Sequence, residues 1–192
     1  MMQKTNNHSS LLAKNKLFVL AAGLYFAVLQ FCYFFLLEAF LSSQSYAFFI
    51  ALFFWLVGFL AGLNLKNKKI YRILVVVSLA PYYLSYFLIQ TYPFNSWLLP
   101  ILGLCIALSG ILPGYYFPLM LEKFSKVKTL LLHENNGFIL GVLLSLVAAD
   151  FAGMIYLLMA PFIGFLLLLM LGFNFIFNRQ GRSQLNLGSL LP

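Results

Sequence analysis

Apolar runs about twenty residues long, separated by short polar or basic interruptions, set the pattern of the chain. Leu17 to Leu41 is the first run, and it ends in Ser42-Ser43-Gln44-Ser45. The second runs from Tyr46 to Leu65 and stops at Lys66, Lys68, Lys69 and Arg72. A third covers Ile70 to Gln90 with Pro81 inside it, and Thr91-Tyr92-Pro93-Phe94-Asn95-Ser96 then reads as an uncharged turn signalled by Pro and Asn. The fourth runs from Trp97 to Leu121, contains Pro100, Pro113 and Pro118, and leads into the polar connection Glu122 to Lys128. Residues 136–177 form one long apolar stretch broken only by Asp150. As a single helix it would measure about 60 Å, twice the hydrocarbon thickness of a bilayer, so it is expected to fold back at Asp150-Phe151-Ala152-Gly153. The pattern therefore predicts an all-α, polytopic membrane helix bundle: six transmembrane helices over residues 17–177, with polar tails at 1–16 and 178–192.

Composition narrows the class. Of the 192 residues, 63% are apolar and 8% charged, against about 25% charged in a soluble domain. That excludes a soluble globular domain, a disordered chain, a disulfide scaffold and a nucleic-acid module. The first run is too long for a cleavable signal peptide and reads as a retained span. Cys32 and Cys105 both fall inside apolar runs, where they read as small packing residues rather than a disulfide or a metal pair.

Charge supplies the orientation. The formal net charge is +8. With six spans, the twelve Lys and Arg all fall in or beside the two tails and the second and fourth connections, which share one side. The positive-inside rule then predicts that both termini are cytoplasmic, in a multi-pass protein of the cell inner membrane.

Three glycine pairs at four-residue spacing, Gly58/Gly62, Gly110/Gly114 and Gly137/Gly141, are candidate helix-packing faces, because glycine lets a neighbouring backbone approach closely. In the fourth span, Ser109-Gly110-Ile111-Leu112-Pro113-Gly114 is followed by Pro118, so the helix is expected to kink or open there. Ser109 and Pro113 become solute-binding candidates, since broken helices often line transporter sites. The alternative is a kink satisfied by neighbouring helices.

Glu38 and Asp150 fall at the outer side, which carries no basic residue. They are candidates for a vestibule that attracts a cation or amine, or else two solvated carboxylates at the membrane surface. Glu122 and Glu134 flank the cytoplasmic connection, where they are expected to face water or pair with Lys123, Lys126 or Lys128. His133-Glu134-Asn135-Asn136-Gly137 lacks the second histidine of a metal-binding H-E-x-x-H and reads as a polar helix entry with Asn capping. Phe124, Val127 and Leu131, opposite the lysines, suggest a short helix on the cytoplasmic leaflet. There is no phosphate loop, paired-cysteine site or Ser/His/Asp set, so no metal, cofactor or enzymatic activity is expected.

Three spans per half would place the second half in inverted topology, as in many transporter repeats. Leu37-Glu38-Ala39-Phe40 and Leu121-Glu122-Lys123-Phe124 echo one another at the ends of spans one and four. The glycine pairs of spans two and five lie at non-corresponding ends.

Leu36-Leu37-Glu38 with Leu41-Ser42, Gly58 and Gly62 before a basic loop, Leu112-Pro113 in a Gly-rich span, and Asn136-Gly137 with Gly141 together resemble the membrane half of spermidine-synthase-like fusion proteins. Those halves are similar to half of a major-facilitator transporter. Asn135 and Asn136 stand where that family tends to have an aspartate. Its soluble catalytic domain is not among these residues, so aminopropyl transfer is not carried over. The resemblance implies a transporter-like half that binds or moves a small solute, a cation among the candidates, as a homodimer or with a membrane partner subunit. The other reading is a non-transporting subunit that scaffolds a larger membrane complex, docking through the cytoplasmic loop and the tail Arg179-Gln180-Gly181-Arg182. Both readings need a lipid bilayer and neither needs nucleic acid.

Overall fold

The computed structural model describes residues 2–41, 44–67, 70–124 and 126–177, with side chains placed between residues 13 and 172 except at 40–45, 68–69, 96 and 125. These residues form α1 (Met2–Leu41), α2 (Gln44–Leu63), α3 (Tyr71–Thr91), α4 (Leu99–Leu121), α5 (Val127–Ala152) and α6 (Met154–Phe177). One 3-10 turn, Ser96–Leu98, leads into α4, and no strand occurs among the described residues. Each of the six helices holds a stretch long and apolar enough to cross a membrane. Phe49 and Phe53 on α2, Ile139 and Val147 on α5, and Ile163 and Met170 on α6 are exposed. An apolar surface of that extent suits hydrocarbon rather than water. The protein is an all-α, multi-pass membrane protein.

The fold-back of the long final stretch falls at Gly153, whose positive φ of 50° is one that glycine adopts without a steric penalty. Other boundaries move. α1 already begins at Met2, so the polar N-terminal stretch continues the first span as helix. The helix anticipated on the leaflet is instead the first part of α5, and Leu130 is buried there while Val127 and Leu131 are exposed. Asn135 and Asn136 therefore lie inside α5 and cap nothing; the helix starts after Lys126 without a side-chain cap. α4 runs unbroken through Pro113 and Pro118 and does not open at Ser109–Gly114. The tail from 178 to 192, with its proposed docking arginines, lies outside the described residues.

The two most extensive helix interfaces are α2–α4 and α1–α5, followed by α1–α6 and α3–α4. Gly58 and Gly62 of α2 lie against the carbonyls of Ala107 and Ile111 on α4, while Gly110 and Gly114 of α4 lie against those of Trp55 and Phe59 on α2. A methyl group at Gly110 would come within 2.5 Å of the Trp55 oxygen. The α1–α5 interface repeats this arrangement. Gly137 and Gly141 of α5 meet the carbonyls of Leu20 and Leu24, and Gly23 of α1 meets that of Glu134. In both pairs residue numbers rise together along the contact, so the paired helices are parallel.

The repetition keeps register. An 87-residue step separates Leu20 from Ala107, Gly23 from Gly110 and Leu24 from Ile111, and a 79-residue step separates Trp55 from Glu134, Gly58 from Gly137 and Gly62 from Gly141. Mapping α1, α2, α3 onto α4, α5, α6 also exchanges the α1–α6 interface with α3–α4. The contacts between the halves are thus exchanged by this mapping, whereas those within each half are not: α1 packs on α2 far more than α4 does on α5. The glycine pairs do correspond, although they sit at different distances from their helix ends, because α5 starts well before its apolar stretch. The Glu38/Glu122 echo does not share this register: the 87-residue step carries Glu38 to Ser125.

α1 and α4, the most buried spans, are held apart by aromatic side chains. Tyr116 of α4 sits between Phe18 and Phe26 of α1, with ring centroids 5.9 and 5.5 Å away. α3 and α6 are tied by hydroxyls: Tyr82 donates to the Leu157 carbonyl and Tyr83 to the Leu158 carbonyl, each at 2.7 Å. The first of these has a covalent cause. Pro161 lies four residues after Leu157 and has no N–H, so the Leu157 carbonyl loses its helical partner, which the Tyr82 hydroxyl replaces.

Two outcomes follow from this packing. Gly110→Leu and Gly137→Leu each place a bulky side chain against a partner carbonyl and should lower stability by at least about 1–3 kcal/mol in detergent unfolding; wild-type stability would put those faces toward lipid. Tyr82→Phe should cost about 1–3 kcal/mol by stranding a buried acceptor. In a Pro161→Ala background, where the new alanine supplies the missing N–H, that cost should fall by more than half, and an additive double-mutant cycle would contradict the assignment.

Candidate functional site

The sequence candidates fall in different parts of the bundle. Glu38 lines a shallow surface cleft of about 280 Å³ together with Phe35 and Ala39 of α1, Ala149 and Gly153 at the end of α5, and Met154 and Leu157 of α6. Asp150 is exposed and is not part of the lining, although its neighbour Ala149 is. The cleft therefore presents one carboxylate against apolar walls. Ser109 is fully buried, with its Oγ 2.9 Å from the Tyr33 hydroxyl, which also donates to the Cys105 carbonyl at 3.3 Å. Pro113 is buried within α4. Neither Ser109 nor Pro113 belongs to the Glu38 cleft. Gly58, Gly62, Gly110, Gly114, Gly137 and Gly141 are all spent on the two backbone contacts.

The interior carries more oxygen chemistry than the sequence reading gave it. Tyr25 of α1 and Ser78 of α3 share a hydrogen bond of 2.8 Å, and Tyr156 of α6 donates to Ser145 of α5 at 2.5 Å. The Tyr33 and Tyr82 rings meet edge to face, 5.1 Å between centroids. Both cysteines are buried and free. Ser78 also bonds the Val75 carbonyl and Ser85 the Pro81 carbonyl. The four serines buried among the described residues are thus satisfied inside the bundle.

A different region has no such closure. Tyr71 Oη on α3, Tyr116 Oη on α4 and Glu134 Oε2 on α5 are shielded from solvent and have no hydrogen-bond partner. Glu134 was expected at the water-facing connection, but its backbone packs on Gly23. Gly23 lies six residues beyond Leu17, about 9 Å into the first apolar run. The signal was in the chain. Glu134, Gly137 and Gly141 are spaced i, i+3 and i+7, which puts the carboxylate on the same face as the glycine stripe. Among the described residues no group of three His, Cys, Asp or Glu could hold a metal ion.

Compared with protein-family models, curated proteins and solved structures, the chain matches none.

If the Glu38 cleft holds a cation, that cation should stabilise the wild type, by about 2.7 kcal/mol at a hundredfold excess over Kd. Thermal unfolding across a panel of metal and amine cations should show the stabilisation lost in Glu38→Gln and kept in Asp150→Asn. Equal behaviour of all three proteins would leave Glu38 an ordinary interface residue.

Proposed function

We propose that this chain is a transporter-like six-helix half that binds or moves a small solute, a cation among the candidates, in the bacterial inner membrane. The observation that carries the reading is the inverted contact repeat, in which α1–α5 and α1–α6 are exchanged with α4–α2 and α4–α3. Inverted repeats of this kind are a common architecture of secondary transporters. The membrane half of spermidine-synthase-like fusion proteins, itself similar to half of a major-facilitator transporter, is the family this reading points to.

The packing also bears on mechanism. Each glycine contact joins a helix of the first half to one of the second, so the halves α1–α3 and α4–α6 cannot rock against each other as separate bodies. Alternating access by rocking needs two bodies. The partner in this reading is a second copy of the chain or another membrane subunit. A scaffolding subunit is the second reading, and one observation favours it: Ser78, Ser85, Ser109 and Ser145 all spend their hydroxyls inside the bundle.

Both readings place the termini in the cytoplasm. Reporter fusions after Gln44, Asn95 and Gly153 should report the outside, and fusions after Asn67 and Lys128 the inside; a cytoplasmic signal at Gly153 would overturn the orientation. Vesicles containing the purified protein should accumulate at least one labelled cation or amine faster than empty vesicles, and Gly110→Leu should abolish the difference. If no member of a broad panel is taken up, the scaffold reading stands in its place.

A further inference from the structure

We propose that Glu134, with the hydroxyls of Tyr71 and Tyr116, forms a buried site for one small monovalent cation, either a proton or an alkali-metal ion. Three oxygens from three helices lie in this region without partners. Tyr116 is wholly buried and Tyr71 is 6% exposed, and both Glu134 and Tyr71 lie within electrostatic reach of Tyr116. Phenols donate readily to carboxylates, so two phenols and a carboxylate in contact would simply bond one another. Here none of the three bonds another, while the Phe18 ring lies beside Tyr116 and faces Gly172 together with the Tyr71 hydroxyl. Buried polar atoms are nearly always paired, and a group of unpaired ones marks a missing water or ion.

Charge and size choose between these. A carboxylate within the hydrocarbon depth of a membrane is costly unless a positive charge accompanies it. α1 opposes Glu134 with Gly23, and the half-buried Lys16, one turn before Leu20, makes no ion pair with it. α4 supplies Tyr116 and α3 supplies Tyr71, while α6 approaches Tyr71 with Gly172. On its own helix, His133 is bonded through Nδ1 to the Thr129 carbonyl at 2.8 Å, and Lys126 and Lys128 are exposed. A methyl group at Gly172 would meet the Phe18 ring at 3.3 Å and the Tyr71 hydroxyl at 3.6 Å. On the α6 side, packing this close to the Tyr71 hydroxyl admits an atom-sized cation rather than an organic one. The site requires only the bundle and holds whether the chain moves a solute or scaffolds a complex.

Infrared difference spectra of the purified protein in lipid test this directly. Two results support the site. A protonated-carboxyl band at neutral pH that is lost in Glu134→Gln identifies the proton as occupant. A carboxylate band that shifts when sodium or potassium replaces choline, and only with Glu134 present, identifies an alkali ion. Identical spectra of wild type and Glu134→Gln under both exchanges would overturn the site and leave a water as the bridge. Should Glu134→Gln fail to fold, Tyr116→Phe keeps the ring and removes one oxygen; the Glu134 band should then shift in frequency, and an unshifted band overturns the proposal.

Discussion

Close approach of helix backbones at glycine is the constraint from which the rest of this bundle follows. Lipid tails are as apolar as leucine, so helices gain little by hiding apolar side chains from them, and packing has to hold the helices together. Glycine makes that packing tight. At Gly58, Gly62, Gly110 and Gly114, α2 and α4 touch main chain to main chain, and Gly23, Gly137 and Gly141 do the same for α1 and α5. Two such seals each join one half of the chain to the other, and α3 and α6 pack onto them through α4 and α1.

The seals also explain why the centre is aromatic and hydroxylated. With α1 drawn to α5 and α4 drawn to α2, the gap between α1 and α4 is too wide for small side chains, and Phe18, Phe26, Tyr33 and Tyr116 fill it. Tyrosine brings a hydroxyl into hydrocarbon, and each one needs a partner. Tyr25, Tyr33 and Tyr156 find serines, and Tyr82 finds the carbonyl that Pro161 frees. Tyr71 and Tyr116 find none, and Tyr116 lies within electrostatic reach of Glu134, a half-buried carboxylate whose Oε2 is shielded and unpaired.

The six spans were legible in the sequence because runs such as Leu17–Leu41 and Trp97–Leu121 leave no other way to bury so many apolar residues. The fold-back was legible because a stretch of about 60 Å exceeds the bilayer. Glu134 was masked, because its neighbours Asn135, Asn136 and His133 look like a helix entry, although its spacing to Gly137 and Gly141 puts it on the glycine face once α5 is known to start at Val127, about two turns earlier. The Tyr82–Pro161 link was out of reach for a different reason: its partners are 79 residues apart on non-sequential helices, and nothing local pairs them. Glu38 and Asp150 were singled out by charge asymmetry alone, which says on which side a residue lies but not which way it points.

The bundle rests on the parallel glycine-sealed pair α1–α5, and pulsed electron spin resonance measures that pairing most directly. Spin labels at the exposed positions Leu17 and Leu132 mark the basic ends of the two helices, and labels at Ala39 and Gly153 mark the opposite ends, which share the Glu38 cleft. Both pairs should be close. The crossed pair Leu17 and Gly153 should be longer by about 30 Å, the rise of the roughly twenty-two residues between Leu17 and Ala39. A short crossed distance with two long direct ones would make the helices antiparallel, and the inverted repeat would fall with them.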